Sequence, residues 1–240
     1  MNIEKDFKKK KIVLTGYSSG IGKILSENLI TLGCQLILIG RKKNSNNKSS
    51  FYKCDLANLK DLEKTSKLIV KENKVIDGFV HCAGENECIP SEKITIDNWN
   101  RILSVNLTAA FIISKEIKKS MLKSRHASIV YVSSIAGHRK SVVSGCHYVV
   151  SKSGLLGLAR QLSQDFKKTG VRVNCISPSQ TSTRMLKQSM NKKQINNLAK
   201  NIPLGRLATV NEQVHGIIFL LSSFASYING ASLNIDGGQI

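Results

Sequence analysis
The chain has 240 residues, with 36 Lys and Arg against 16 Asp and Glu, for a formal net charge of +20 at pH 7. That length suits one large α/β domain with a full core, and no Pro/Gly/Ser-rich divider interrupts it, so a single domain over 1–240 is expected. No apolar run reaches the ~18 residues of a membrane span, and the basic start lacks the apolar stretch of a secretory signal. A hydrophobic fraction of 41% and a mean hydropathy of −0.11 suit a soluble globular protein.

The first strand-like run, Ile12-Val13-Leu14-Thr15, passes at once into Gly16-Tyr17-Ser18-Ser19-Gly20-Ile21-Gly22. An amphipathic pattern follows, with Ile21, Leu25, Leu29 and Leu32 on one side and Gly33 as its stop. Strand, glycine turn and helix form the context of a dinucleotide site. Gly16 permits the tight turn, Gly20 lets backbone approach a pyrophosphate, and Gly22 allows close helix–strand packing. The second strand, Leu36 to Ile39, ends in Gly40-Arg41-Lys42-Lys43. An acidic residue here would bind the ribose 2′-hydroxyl of NAD. This chain offers cations instead, and the Arg41 guanidinium suits the 2′-phosphate of NADP; the bland alternative is an ordinary basic loop.

Residues 43–50 are polar and too poor in apolar residues for a core-facing helix. A third strand, Phe51 to Cys54, delivers Asp55-Leu56, where the carboxylate either accepts from an adenine amino group or caps the next turn. A helix over Leu59–Val70 and a fourth strand, Ile76 to Cys82, lead to Ala83-Gly84, small enough for backbone to lie against a cofactor. His81 at this strand end reads as structural rather than catalytic. Asp97 to Lys123 is a long helical pattern containing Asn106, a poor helix-interior residue that signals a polar role or a local distortion. Strand five, Ala127 to Val132, carries Ser133-Ser134 to the carboxyl end of the sheet, where open α/β folds bind ligands.

The next helix, running to about Lys168, holds Tyr148 and Lys152 four residues apart on one face. Such a spacing arises easily by chance. Its chemical reading is that the ammonium lowers the pKa of the phenol, which then moves protons near neutral pH. Strand six, Val171 to Ile176, enters Ser177-Pro178 and a Ser/Thr-rich turn. Residues 184–201 are polar and suit a mobile flap. A helix from Asn211 to Ser222 and a strand from Ala231 to Ile235 complete the pattern before Asp236-Gly237-Gly238.

Taken in order, the glycine turn from Thr15 to Gly22, Ala83-Gly84, Asn106, Ser134, Tyr148-x-x-x-Lys152, Pro178 and Asp236-Gly237-Gly238 resemble the short-chain dehydrogenase/reductase family. The tail from Ile202-Pro203-Leu204-Gly205-Arg206 resembles most the 3-oxoacyl-[acyl-carrier-protein] reductase group. The resemblance implies a doubly wound Rossmann fold with a seven-stranded parallel sheet, an NADP(H)-dependent carbonyl reduction and a homotetramer. It implies that Ser134 polarises the carbonyl and Tyr148 donates the proton. Lys152 would lower the phenol's pKa and hold the nicotinamide ribose, with Asn106 supporting a water relay behind it. It also implies a cofactor site over Gly16, Ser18, Ser19, Gly20, Ile21, Gly22, Arg41, Asp55, Leu56, Ala83, Gly84, Tyr148, Lys152, Pro178, Thr181 and Thr183, the last contacting the nicotinamide carboxamide.

Four departures stand out. His81-Cys82 replaces Asn-Asn, and Ser179 replaces a glycine and so costs backbone freedom. The crossover over residues 41–50 is short and lacks its helix. The loop from Arg139 to His147 is one residue longer. Arg125 matches one of two basic positions for docking an acidic acyl carrier protein; Thr169 stands at the other, beside Lys167 and Lys168. The high charge therefore reads either as solvated faces or as attraction to an acidic partner. Nucleic acid is the weakest of these, since aromatics are only 5% and do not interleave with the basic clusters. The six Cys are scattered without metal-ligand spacing, so no metal and a reducing, cytoplasmic location are expected. Two alternatives remain open: a sugar, polyol or small-alcohol dehydrogenase, and an NADP-binding scaffold without turnover.

Overall fold
The computed structural model describes residues 3–43, 49–183, 186 and 191–240. The apolar runs pair into one sheet of strands β1 (Lys11–Thr15), β2 (Gln35–Gly40), β3 (Ser49–Lys53), β4 (Gly78–His81), β5 (Ser128–Val132), β6 (Arg172–Pro178) and β7 (Ser232–Ile235). All pairings are parallel, in the order β3-β2-β1-β4-β5-β6-β7. The expected doubly wound, seven-stranded Rossmann architecture is thus observed, with strand ends displaced by at most two residues. Near-continuous burial along β4, β5 and β6 explains why these strands are apolar runs rather than alternating ones: helices cover both faces.

The helices are α1 (Ile3–Phe7), α2 (Gly20–Thr31), α3 (Leu59–Glu72), α4 (Ile96–Leu103), α5 (Ala109–Met121), α6 (Cys146–Asp165), α7 (Lys192–Lys200) and α8 (Val210–Leu221). On one face, Leu25 and Leu29 of α2 meet Val214, Ile217 and Leu221 of α8 over β1 and β4. On the other, Leu62 and Ile69 of α3, Ile113 and Ile117 of α5, and Leu155 and Ala159 of α6 pack over Phe79, Tyr131 and Val173. Each such aliphatic side chain contributes about 1.5–3 kcal/mol by leaving water. Capping boxes start α4 (Thr95 with Asn98) and α8 (Thr209 with Glu212).

The long pattern from Asp97 to Lys123 is interrupted where the asparagine suggested. A π-helical turn, Ser104–Thr108, separates α4 from α5. Polar residues inside β6 are paired rather than orphaned. Arg172 donates to the Leu220 and Ser222 carbonyls, and Asn174 donates to Ile228 O and accepts from Ala231 N. The short β2–β3 connection spans residues 41–48, of which 44–48 lie outside the described residues. Of the expected flap, residues 184, 185 and 187–190 also lie outside them, and the part from Lys192 forms α7. Among the described residues no helix is long and apolar enough to cross a membrane.

Candidate active site
Strand order reverses at β1, so a crevice opens between the carboxyl ends of β1 and β4. The glycine turn lies there, and its geometry leaves no room for other residues at two positions. A Cβ on Gly16 would stand 2.5 Å from Ala83 N, and one on Gly22 would stand 2.1 Å from Gly16 O. The turn, β4 and the start of α2 therefore touch backbone to backbone. Ser18 and Ser19 are exposed, and Ser19 does not cap α2 with its side chain, which leaves the first-turn amides near Gly20 and Ile21 to an outside acceptor such as a phosphate. Thr183 faces this turn across the crevice, its methyl 3.8 Å from where a Gly20 Cβ would lie.

The four residues grouped by the resemblance come together on the β4–β5–α6 side. Ser134 follows β5 and caps the turn Ile135–Gly137, accepting from Ala136 N at 3.1 Å. Its hydroxyl also hydrogen-bonds the Tyr148 phenol. Lys152 is 4% exposed; its Nζ donates to Val132 O at 2.8 Å and lies 5.5 Å from the centre of the Tyr148 ring. Asn106, fully buried in the π-turn, accepts from Glu85 N at 2.8 Å and donates to Glu85 O and Ser151 Oγ, each at 3.0 Å. Ser151 donates in turn to Tyr148 O at 2.7 Å. The asparagine side chain thus ties the loop after Gly84 to the helix that carries Tyr148.

One expectation is corrected here. The phenol's pKa is not lowered by Lys152: burial pushes it up, and only the Ser134 hydrogen bond works the other way. The cost of burial falls on the cation as well, and Lys152 is pushed down to about 8. The physical reason is that desolvation disfavours both charged forms, while the ammonium is directed to a backbone carbonyl rather than to the phenol oxygen.

His81 is fully buried, with Nδ1 3.0 Å from Thr15 Oγ1 and Nε2 3.1 Å from Val105 O. Ala83 N donates to the same Thr15 hydroxyl at 3.3 Å. Since a carbonyl only accepts, Nε2 carries the proton and Thr15 donates to Nδ1. Burial, with the nearby Lys152 charge, holds the ring neutral by depressing its pKa to about 3. The structural reading of His81 holds: it fastens the glycine turn to the π-turn. Its neighbour Cys82 has its thiol pushed up to about 11 by burial.

The remaining predicted residues line or approach the rim. Arg41 is exposed after β2. Asp55 Oδ1 accepts from Ala57 N at 3.0 Å, the turn-capping alternative, and Leu56 is buried. Pro178 ends β6, and Thr181 bridges to Ala208. Ser179 incurs no expected backbone cost, because the only non-glycine residues at positive φ among those described are Lys9 and Lys168. Arg125 is not brought to the crevice. It precedes β5 while Ser134 follows it, so about 17 Å of strand separates the two. Sequence reasoning missed Thr15, Ser151, Glu85 with its Arg101 pair at 2.7 and 2.8 Å, and Tyr17, whose one signal is a bulky ring among small turn residues.

A dinucleotide fits what is present: backbone close to backbone at Gly16, an uncapped helix start, and a buried cation beside a half-buried phenol. Comparison with known proteins points the same way. A family model described as enoyl-(acyl carrier protein) reductase matches residues 16–239. The 3-oxoacyl-[acyl-carrier-protein] reductase FabG of Rickettsia conorii is 31% identical over 244 aligned positions, covering 98% of each chain. Among solved structures, a ligand-free aldohexose dehydrogenase from Thermoplasma acidophilum superposes with a TM-score of 0.89 at 27% identity, covering 98% of this chain and 95% of that one. A short-chain dehydrogenase from Leptospira borgpetersenii with bound NAD+ also gives 0.89 at 27% identity, over 100% and 96%.

Proposed function
The chain belongs to the short-chain dehydrogenase/reductase family of oxidoreductases, and on that premise we propose that it is an NADP-dependent reductase of 3-oxoacyl groups carried on an acyl carrier protein. The observation that carries this reading is the gathering of Ser134, Tyr148, Lys152 and Asn106 beside the glycine turn, in a chain that matches a reductase of that name almost end to end. NADPH, when bound, supplies the hydride. Ser134 turns its hydroxyl to the substrate carbonyl oxygen. Tyr148, protonated at neutral pH, delivers the proton there, and the Ser134 hydroxyl works against the rise in pKa that burial imposes. Lys152 then stabilises the tyrosinate left behind and holds ribose hydroxyls, while Asn106 keeps the Gly84–Glu85 loop and α6 in register behind them.

Arg41 takes the 2′-phosphate, Thr183 the carboxamide, and residues 184–201 act as a flap over the substrate. The acidic carrier docks through Arg125. We place the enzyme in the cytoplasm as a homotetramer; exposed Phe111 and Val150 on α5 and α6, and Phe219 and Leu233 on α8 and β7, support association. A sugar dehydrogenase is the second reading, favoured by the aldohexose dehydrogenase likeness. Initial rates with acetoacetyl thioesters against a sugar and polyol panel, each with NADPH and NADH, separate the two. Faster turnover of a sugar, or preference for NADH, overturns the first reading.

A further inference from the structure
We propose that Tyr17 is a specificity-determining residue: its phenol anchors the short basic loop after β2 and so positions Arg41 for the cofactor's 2′-phosphate. This deepens, and rests on, the NADP reading above. Tyr17 lies between Gly16 and Ser18 in the turn, yet its ring is 3% exposed and points toward the end of β2. There it stands edge-on to Phe51 of β3, with ring centres 6.5 Å apart and planes at 79°. Its hydroxyl donates to the Lys42 carbonyl at 2.5 Å. Burial pushes the phenol's pKa up, so the group remains a donor.

Two consequences follow from that placement. First, β2 and β3 are joined by residues 41–48 alone, so the hydrogen bond from Tyr17 supplies a fixed point that a packed crossover helix would otherwise give. Arg41, Lys42 and Lys43 are exposed and form no ion pair with a described carboxylate, which leaves their charge to a ligand. A guanidinium on a restrained backbone loses less freedom on gripping a phosphate than one on a loose loop. Second, Tyr17 closes the acidic alternative. A Cβ on Gly40, the last residue of β2, would stand 2.8 Å from the Tyr17 hydroxyl and 3.0 Å from its Cε1. The site where a carboxylate would read a free ribose 2′-hydroxyl is already filled by the phenol.

The test compares two probes by calorimetric titration of the purified full chain: adenosine 2′,5′-bisphosphate and 5′-AMP. Tyr17→Phe keeps the packing and removes the anchor; its affinity for the bisphosphate should fall about two- to tenfold, the worth of one hydrogen bond, with 5′-AMP unchanged. Gly40→Ala pushes the ring aside from the other direction and should reproduce that selective loss; it decides the matter should Tyr17→Phe misfold by thermal melting. Arg41→Ala tests the underlying reading, and a selective loss there is expected too. If Arg41→Ala is selective while Tyr17→Phe and Gly40→Ala are silent, or weaken both probes equally, the anchoring role is overturned. If Arg41→Ala is not selective, the 2′-phosphate reading itself fails, and the anchor with it.

Discussion
Replacing Lys152 by Met should make the cofactor-free protein more stable while nearly silencing it. The ammonium is 4% exposed and satisfied by one contact, Val132 O at 2.8 Å. Burial lowers its pKa from the ordinary 10.5 to about 8, which corresponds to roughly 3 kcal/mol charged against folding. Met has similar volume and no charge, but it forfeits the hydrogen bond, about 1 kcal/mol. The net gain expected at pH 7 is on the order of 1–3 kcal/mol, or a rise in melting temperature of roughly 2–12 °C for a chain of this size. The sign with pH is specific. Below pH 8 both folded and unfolded chains hold the proton, and the wild type bears the full cost. Between 8 and 10.5 the unfolded chain binds more protons, so wild-type stability climbs and the advantage of the variant shrinks. Urea and thermal melts from pH 6 to 10.5, at fixed protomer concentration, measure this. A Met variant that is less stable at pH 7, or whose gain is flat with pH, refutes the reasoning.

Tyr148→Phe should lower carbonyl reduction by about 10²–10⁴ while NADPH affinity, followed by fluorescence titration, stays within a few fold; wild-type turnover would remove the proton-donor role. Acidification tests His81. Its folded pKa of about 3 lies below the ordinary 6.5, so stability is lost as pH falls below 6.5, by about 2 kcal/mol between pH 7 and 5, and His81→Asn should flatten that slope. Gly22→Ala places a methyl 2.1 Å from Gly16 O and should abolish folding or cofactor binding. Gly157→Ala on α6 meets nothing within 4 Å and should be neutral or stabilising by about 0.5–1 kcal/mol in thermal melts. Arg125→Glu should raise KM for a carrier-bound 3-oxoacyl substrate several-fold and leave a small-molecule thioester unaffected; equal effects on both would argue against carrier docking there.

Much of this protein is legible along the chain because the physics involved is local. Apolar runs broken by turns mark parallel strands, a 3.6-residue repeat marks α2 and α8, and Gly16 and Gly22 announce backbone contact. An asparagine inside a helical pattern signalled a polar role or a local distortion, and the structure has a π-turn there. What only the tertiary structure decided are matters of distance between remote segments. The burial that raises Tyr148 and depresses Lys152 comes from strands and helices far away in sequence, so a four-residue spacing suggested a charge effect that desolvation overrides. Likewise, the partners of His81 lie in two other segments, Thr15 and Val105, and the phenol of Tyr17 meets a carbonyl 25 residues on. Spacing is written in the chain; the dielectric around a group, and the company it keeps across crossovers, exist only once the sheet has closed.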